Sequence, residues 1–200
     1  MKEHYYDKLL HIKTGAYEKE TNQSLHFYPY EPTEYRVLET LLDQYELDQN
    51  DCIVDFGSGK GRLCFFLHYY KHVFVRGVEM SEVFHKNALK NKKSYLKKTK
   101  QNKDKIQFYC SLAETYEIKD TDNRFYFFNP FSVRIFERII NNILRSVETF
   151  PREVELILYY PSEDYIFYLE NQTVFQLKEE ITLPGLYEKN PDERFLIYYI

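Results

Sequence analysis

Ile53-Val54-Asp55-Phe56-Gly57-Ser58-Gly59-Lys60-Gly61-Arg62 decides how this chain is read. A short apolar run ends in an acid, glycine then takes every second position, and Leu63-Cys64-Phe65-Phe66-Leu67 continues as an apolar helical run. Glycine at such a turn lets the backbone take left-handed conformations and approach a ligand where a β-carbon would collide. The helix that follows turns its free N–H groups and the positive end of its dipole toward whatever binds. A dinucleotide fingerprint needs a glycine three places after Gly59, and Arg62 stands there. The spacing therefore disfavours that ligand class.

Outward from this loop the chain alternates strand and helix. Strands are expected at 52–56, 73–78, 106–110, 125–128 and 154–160. Between them run helices over 62–70, from Ser81 as N-cap with Phe84, Ala88, Leu89, Tyr95 and Leu96 inward, and over 133–147 with Phe136, Ile139, Ile140, Ile143 and Val147 on one stripe. Upstream lies a polar segment, then Thr33 as the expected N-cap of a helix carrying Leu38, Leu41, Leu42 and Tyr45. Downstream, a last helix over 162–169 is followed by strands at 173–183 and 194–200, separated by Pro184-Gly185 and Asn190-Pro191 turns. Parallel βαβ units explain the first five strands, and two late strands with no helix between them imply an antiparallel pair. The expected fold is α/β: a doubly wound, mostly parallel seven-stranded sheet with an antiparallel last strand. We expect one domain over 1–200, with an N-terminal arm and helix at 1–46 and the core at 47–200.

Composition agrees with this. Of 200 residues, 44% are hydrophobic and 18% aromatic, enough to fill one core. No run approaches the roughly 18 to 20 apolar residues of a membrane span, and no signal-peptide pattern opens the sequence, so a cytoplasmic protein is expected. Cys52, Cys64 and Cys110 sit in apolar runs without C-x-x-C pairing and read as reduced core residues. His68, His72 and His85 have no partner at ligand spacing, and no metal site is expected. Net charge is −4, yet residues 86–105 hold nine lysines against Asp104, a local +8, so the rest carries −12. Lys86, Lys90, Lys93, Lys97 and Lys100 share one helical face, which is read either as a nucleic-acid contact or as a solvated outer face.

Asp55-x-Gly57-x-Gly59-x-Gly61, with Glu79 24 residues after Asp55 at the end of the second strand, resembles motif I and the following acidic position of class I S-adenosylmethionine-dependent methyltransferases. A carboxylate at Glu79 has the acceptor oxygens to take both hydroxyls of a ribose. The resemblance implies S-adenosyl-L-methionine as cofactor, bound by Asp55, Gly57, Ser58, Gly59, Gly61, Glu79, Met80, Leu112, Ala113 and Asn129, with Tyr30 and Thr33 of the aromatic leader at the mouth and His26 toward substrate. More often, a Tyr/Pro stretch of this kind is an ordered arm packed on the sheet, and the leader reads that way too. Many members of the family carry Gly-Asp-Ala after the third strand, the Asp meeting the adenine amino group. Here Ser111-Leu112-Ala113 stands in its place, so that bond falls to Ser111 with the Leu112 backbone, or to Glu114.

Asn129-Pro130-Phe131-Ser132 resembles the Asn-Pro-Pro-Tyr/Phe motif of methyltransferases acting on planar nitrogen. That resemblance assigns Asn129 and Pro130 to receiving an amine, with Phe131 or Tyr30 as an aromatic wall. The same residues read equally as an Asn-Pro turn with Ser132 as N-cap. The implied activity is methyl transfer to an unidentified acceptor, a planar amine in nucleic acid or protein, by positioning rather than covalent catalysis. The alternative is an inactive S-adenosylmethionine-binding regulatory or scaffold protein.

Overall fold

Strands that are apolar along their whole length can be stable only when both faces of the sheet are covered, and that is how they are used here. The computed structural model describes residues 2–15, 31–100 and 102–200. Strands β1 (Cys52–Phe56), β2 (Phe74–Glu79), β3 (Ile106–Cys110), β4 (Arg124–Phe127), β5 (Glu155–Tyr159), β6 (Gln176–Thr182) and β7 (Arg194–Tyr199) form one sheet in the order β3-β2-β1-β4-β5-β7-β6. The first five are parallel, and β7 runs antiparallel to both β5 and β6. The late antiparallel pair thus has the place the sequence implies.

The helices are α1 (Lys2–Leu10), α2 (Tyr35–Gln44), α3 (Arg62–Lys71), α4 (Glu82–Thr99), α5 (Val133–Thr149) and α6 (Glu163–Gln172). Successive strand residues feed opposite faces. Ile53, Val75, Ile157 and Ile197 enter a core with Leu38, Leu41, Phe65 and Phe66. Val54, Leu156, Leu158 and Tyr198 enter a second core with Phe136, Ile139, Ile140, Ile143 and Tyr165. Phe136 stacks on Tyr165 with ring centroids 3.7 Å apart. Burying a side chain of this size is worth about 1.5 to 3 kcal/mol.

Several sequence expectations need correcting. The polar N-terminal segment holds helix α1, whose buried contribution is essentially Leu10. Tertiary bonds secure it: Asp7 accepts from the Thr14 backbone N–H and hydroxyl and from the Tyr35 hydroxyl, each at 2.7 Å. Thr33 does not cap α2. Glu34 occupies that position, and the Thr33 hydroxyl shares a 2.8 Å hydrogen bond with Tyr126. Leu89 is exposed, and Asn91 takes the inward position because its amide accepts from the Lys13 N–H and donates to the Lys60 carbonyl. Cys110 is exposed at the end of edge strand β3. Helix α6 runs on to Gln172, so β6 starts at Gln176 and not at 173.

Candidate functional site

An open α/β sheet binds ligands beyond the carboxyl ends of its strands, where the strand order reverses. Here the order reverses between β1 and β4, and the two loops leaving those strands touch. A β-carbon on Gly57 would lie 3.1 Å from the Pro130 β-carbon. Gly57, Gly59 and Gly61 have φ of 84°, 53° and 87°, a left-handed run that L side chains rarely adopt. The loop is anchored to β2, since the Gly57 and Ser58 N–H groups donate to the Val78 carbonyl at 2.9 and 3.1 Å. Gly61, assigned from the sequence to the cofactor, has a packing reason to be glycine: its β-carbon would stand 2.7 Å from the Phe108 ring and 2.9 Å from Phe65.

Two buried carboxylates sit behind the loop. Glu79, 8% exposed, accepts from the Gly59 N–H and the Ser81 N–H, both at 2.8 Å, one on each oxygen. It thereby ties the end of β2 to the middle of the glycine loop. Asp55 lies 5% exposed on the strand between Gly77 and Tyr126, with its carboxyl 3.6 Å from the Cys64 thiol. Burial, with a lesser contribution from the Glu79 charge, lifts Asp55 to about 7, against the thiol hydrogen bond that lowers it.

The remaining loops carry mixed groups. The Ser111 N–H donates to the Glu79 carbonyl at 3.1 Å, which sets the 111–112 segment beside 79–80. Met80 and Leu112, 41% and 43% exposed, are the apolar side chains of these two strand ends. Ala113 is buried at the start of a short 3-10 turn, Ala113–Thr115. Asn129 has φ of 38°, and its amide has no hydrogen-bond partner among the described residues. Phe131 is buried in the second core and its carbonyl accepts from the Tyr165 hydroxyl at 2.6 Å. That burial leaves the Asn129 amide and Ser132 Oγ as the side-chain polar groups of this loop without a hydrogen bond among the described residues. Ser132 does stand at the N-cap of α5, without a side-chain capping bond. Thr33 is committed to Tyr126, while Tyr30 and His26 lie outside the described residues.

Sequence reasoning missed Arg62. This side chain starts α3, where the helix dipole disfavours a cation, and it is buried. Its guanidinium donates to the Thr14 hydroxyl at 2.8 Å and the Thr33 carbonyl at 3.1 Å, pairs with Glu3, and lies 4.5 Å over the Tyr35 ring. Arg62 therefore clamps α1 and the start of α2 to the end of the glycine loop. The available signal was a charge opening an otherwise apolar helix.

The residues fit an adenosyl cofactor. An ionised carboxylate has about four acceptor positions, so Glu79 can take a diol beside, or in exchange for, its two backbone N–H groups. Ser58 Oγ, Glu114 Oε2 and Ser132 Oγ, from the loops after β1, β3 and β4, are buried polar atoms without a hydrogen-bond partner among the described residues, as are His85 Nδ1, Arg124 Nε and Arg194 Nε; such atoms call for an explanation, and for the first three a ligand is one. Among the described residues no cluster of His, Cys, Asp and Glu could hold a metal ion, and no helix is long and apolar enough to cross a membrane.

No protein-family model and no curated protein sequence matches the chain. Solved structures do. An RNA methyltransferase from Salinibacter ruber in complex with S-adenosyl-L-homocysteine superposes with a TM-score of 0.52 at 16% identity, covering 84% of this chain and 92% of that one. An rRNA methylase from Streptococcus thermophilus gives 0.52 at 15% identity over 82% and 91%. The [4+2]-cyclase SpnF gives 0.60 at 13% identity over 88% and 87%. With the sheet order 3-2-1-4-5-7-6 and the antiparallel seventh strand, these likenesses establish that the chain has the fold of the class I S-adenosylmethionine-dependent methyltransferases.

Proposed function

We propose that this chain, acting as one domain, binds S-adenosyl-L-methionine at the β1–β4 reversal and transfers its methyl group to a planar amine, with RNA the favoured bearer of that amine. The observation that carries the reading is the Glu79 carboxylate bonded to the Gly59 N–H, an acid held against the tip of a left-handed glycine loop. In this reading Glu79 takes the ribose hydroxyls. The Gly57–Gly59 backbone faces the amino-acid part, Asp55 supports it from behind, and Met80 and Leu112 cover the two faces of adenine. Ala113 closes the floor, and Ser111 or Glu114 meets the adenine amino group. Tyr30 would stand at the mouth. The cofactor supplies a methyl group already activated on a sulfonium, so the protein has to position and desolvate the reactants. The Asn129 amide oxygen and the Pro130 carbonyl accept the N–H groups of the amine, which directs its nitrogen lone pair. RNA is favoured because the methyltransferase structures named above act on RNA.

A second reading has an observation behind it as well. SpnF is a cyclase on the same fold, and Leu112 stands where an acid meets adenine in many members of the family; fold alone does not dictate reaction. Under this reading the chain binds the cofactor without methyl transfer. Calorimetry with S-adenosylhomocysteine, with NAD as control, tests the shared part: no heat at millimolar ligand removes both readings. Tritium transfer from labelled cofactor into fractionated RNA, protein and metabolites separates them, with Asn129→Ala expected to keep cofactor affinity and lose transfer.

A further inference from the structure

Helix α4 presents two faces of opposite character. Phe84, Ala88, Asn91 and Tyr95 are its buried positions, and at 100° per residue Lys86, Lys90, Lys93 and Lys97 lie on the far side. All four are exposed, as are Lys98, Lys100 and Lys103 just beyond. Lys86 is paired with Glu82. Lys90, Lys93, Lys97, Lys98, Lys100 and Lys103 have no ion-pair partner among the described residues. Elsewhere Lys2, Arg36, Lys119, Lys178 and Arg194 each meet a carboxylate, whereas the exposed Arg134, Arg138 and Arg145 of α5 meet none among the described residues and lie among acids rather than in a run of cations. A ridge of unneutralised cations on a chain whose remaining residues carry −12 repels itself in the free protein and gains from meeting an extended anion.

The ridge is also aimed. Ser81, the N-cap of α4, follows Glu79 by two residues and sits at the cofactor mouth. At about 1.5 Å per residue the lysines from 90 to 100 stand roughly 13 to 29 Å from that point along the helix axis. An acceptor placed at the mouth reaches them only if it is long and regularly charged. A metabolite or an amide side chain is too short. A membrane surface is disfavoured because the exposed apolar side chains of α4, Val83 and Leu89, stand on opposite flanks of the lysines and form no row to insert.

We infer that the exposed lysine ridge of α4 is a docking surface for the phosphate backbone of an RNA whose target base enters the site between Glu79 and Asn129. The inference rests on the proposed methyltransferase reading for the target base, and only on the ridge for the RNA.

The test is fluorescence anisotropy of a labelled 20-nucleotide RNA hairpin with the full chain, without cofactor, across a salt series. Neutralising about four phosphates gives a log–log salt slope near −3 and an affinity loss of about fifty-fold between about 50 and 200 mM salt. The triple variant Lys90→Gln, Lys93→Gln, Lys97→Gln changes only exposed positions to another helix former. It should lose about two units of slope and about tenfold or more in affinity. Its control is Arg134→Gln, Arg138→Gln, Arg145→Gln on the exposed face of α5, expected to stay within about twofold of the parent. Equal binding by the α4 variant and the parent overturns the inference, as does a loss confined to the α5 variant. Binding to phosphatidylserine vesicles without binding to the hairpin overturns it too. S-adenosylhomocysteine calorimetry on the same proteins reports on the methyltransferase reading alone, so either idea can fail without the other.

Discussion

The two edges of the sheet handle buried polarity in opposite ways. At the amino edge, charge meets charge. Arg76 pairs with Asp122, Arg124 with Asp51, and Lys178 with Glu155, which also accepts from the Tyr45 hydroxyl. Asp122, wholly buried, accepts further bonds from the Tyr116 hydroxyl and the Lys119 N–H. At the carboxyl edge Asp55 faces a thiol, Glu79 faces backbone N–H groups, Asn129 and Tyr160 hold left-handed φ, and Ser58, Ser132 and Glu114 keep unpaired buried oxygens. The amino edge thus pairs its buried acids with cations, though Arg124 Nε keeps no hydrogen bond among the described residues and His72 holds a left-handed φ there, while the carboxyl edge sets its acids against a thiol and backbone N–H groups.

The largest test of this contrast is Asp122→Ala. Removing the wholly buried Asp122 takes the carboxylate from half-buried Arg76 and the acceptor from the Tyr116 hydroxyl and the Lys119 N–H, so unfolding free energy should drop by about 3 kcal/mol or more. Urea denaturation measures it, and S-adenosylhomocysteine affinity of the folded fraction should not change. An equally large loss of affinity would mean that the edges are not separable.

Next comes pH. Asp55 stands at about 7 in the fold, above its unfolded value of about 3.9. Its raised value favours the fold fully below about pH 4, and that contribution is lost as pH rises through about 7. His68, buried and bonded to the Tyr95 hydroxyl, is lowered by burial to about 4; its contribution is present above about 6.5 and is lost as pH falls toward 4. The two groups oppose each other across one window. Asp55→Asn should therefore gain on the order of 2 to 4 kcal/mol over the parent at pH 8 and little at pH 4. Thermal unfolding at both values checks the sign, and a variant less stable at pH 8 would show that the ionised acid supports the loop.

Two smaller changes sharpen the carboxyl edge. Glu79→Gln keeps one acceptor and the shape but removes the charge, and should weaken S-adenosylhomocysteine by about 1 to 3 kcal/mol in calorimetry. Unchanged affinity would reduce Glu79 to a tie between β2 and the loop. Asn129→Gly relieves the left-handed φ and should stabilise the fold by up to about 1 kcal/mol while depressing methyl transfer. A destabilised variant would show that the Asn129 side chain holds the loop and does not await an acceptor.

What this sequence determined by itself is whatever repeats locally or depends on single residue types. Alternating apolar runs and helical stripes carry the order of elements, because burial on one face imposes its period on the chain. Glycine at 57, 59 and 61 marks the left-handed loop, because no other residue takes that backbone cheaply. Glu79 was legible because it ends a strand beside that loop. Only the tertiary structure decided the rest. Helix α1 forms on a segment with almost no apolar stripe, because Arg62 and Tyr35 hold Glu3 and Asp7 from across the chain. Thr33 turned from a helix cap into a partner of Tyr126, 93 residues away. Asn91 displaced Leu89 from the inward face because two backbone groups of other segments needed it. Such pairings join residues tens of positions apart, and neither period nor propensity says which distant group will stand opposite. The acidity of Asp55 belongs with them, since it is set by the burial that the finished sheet imposes.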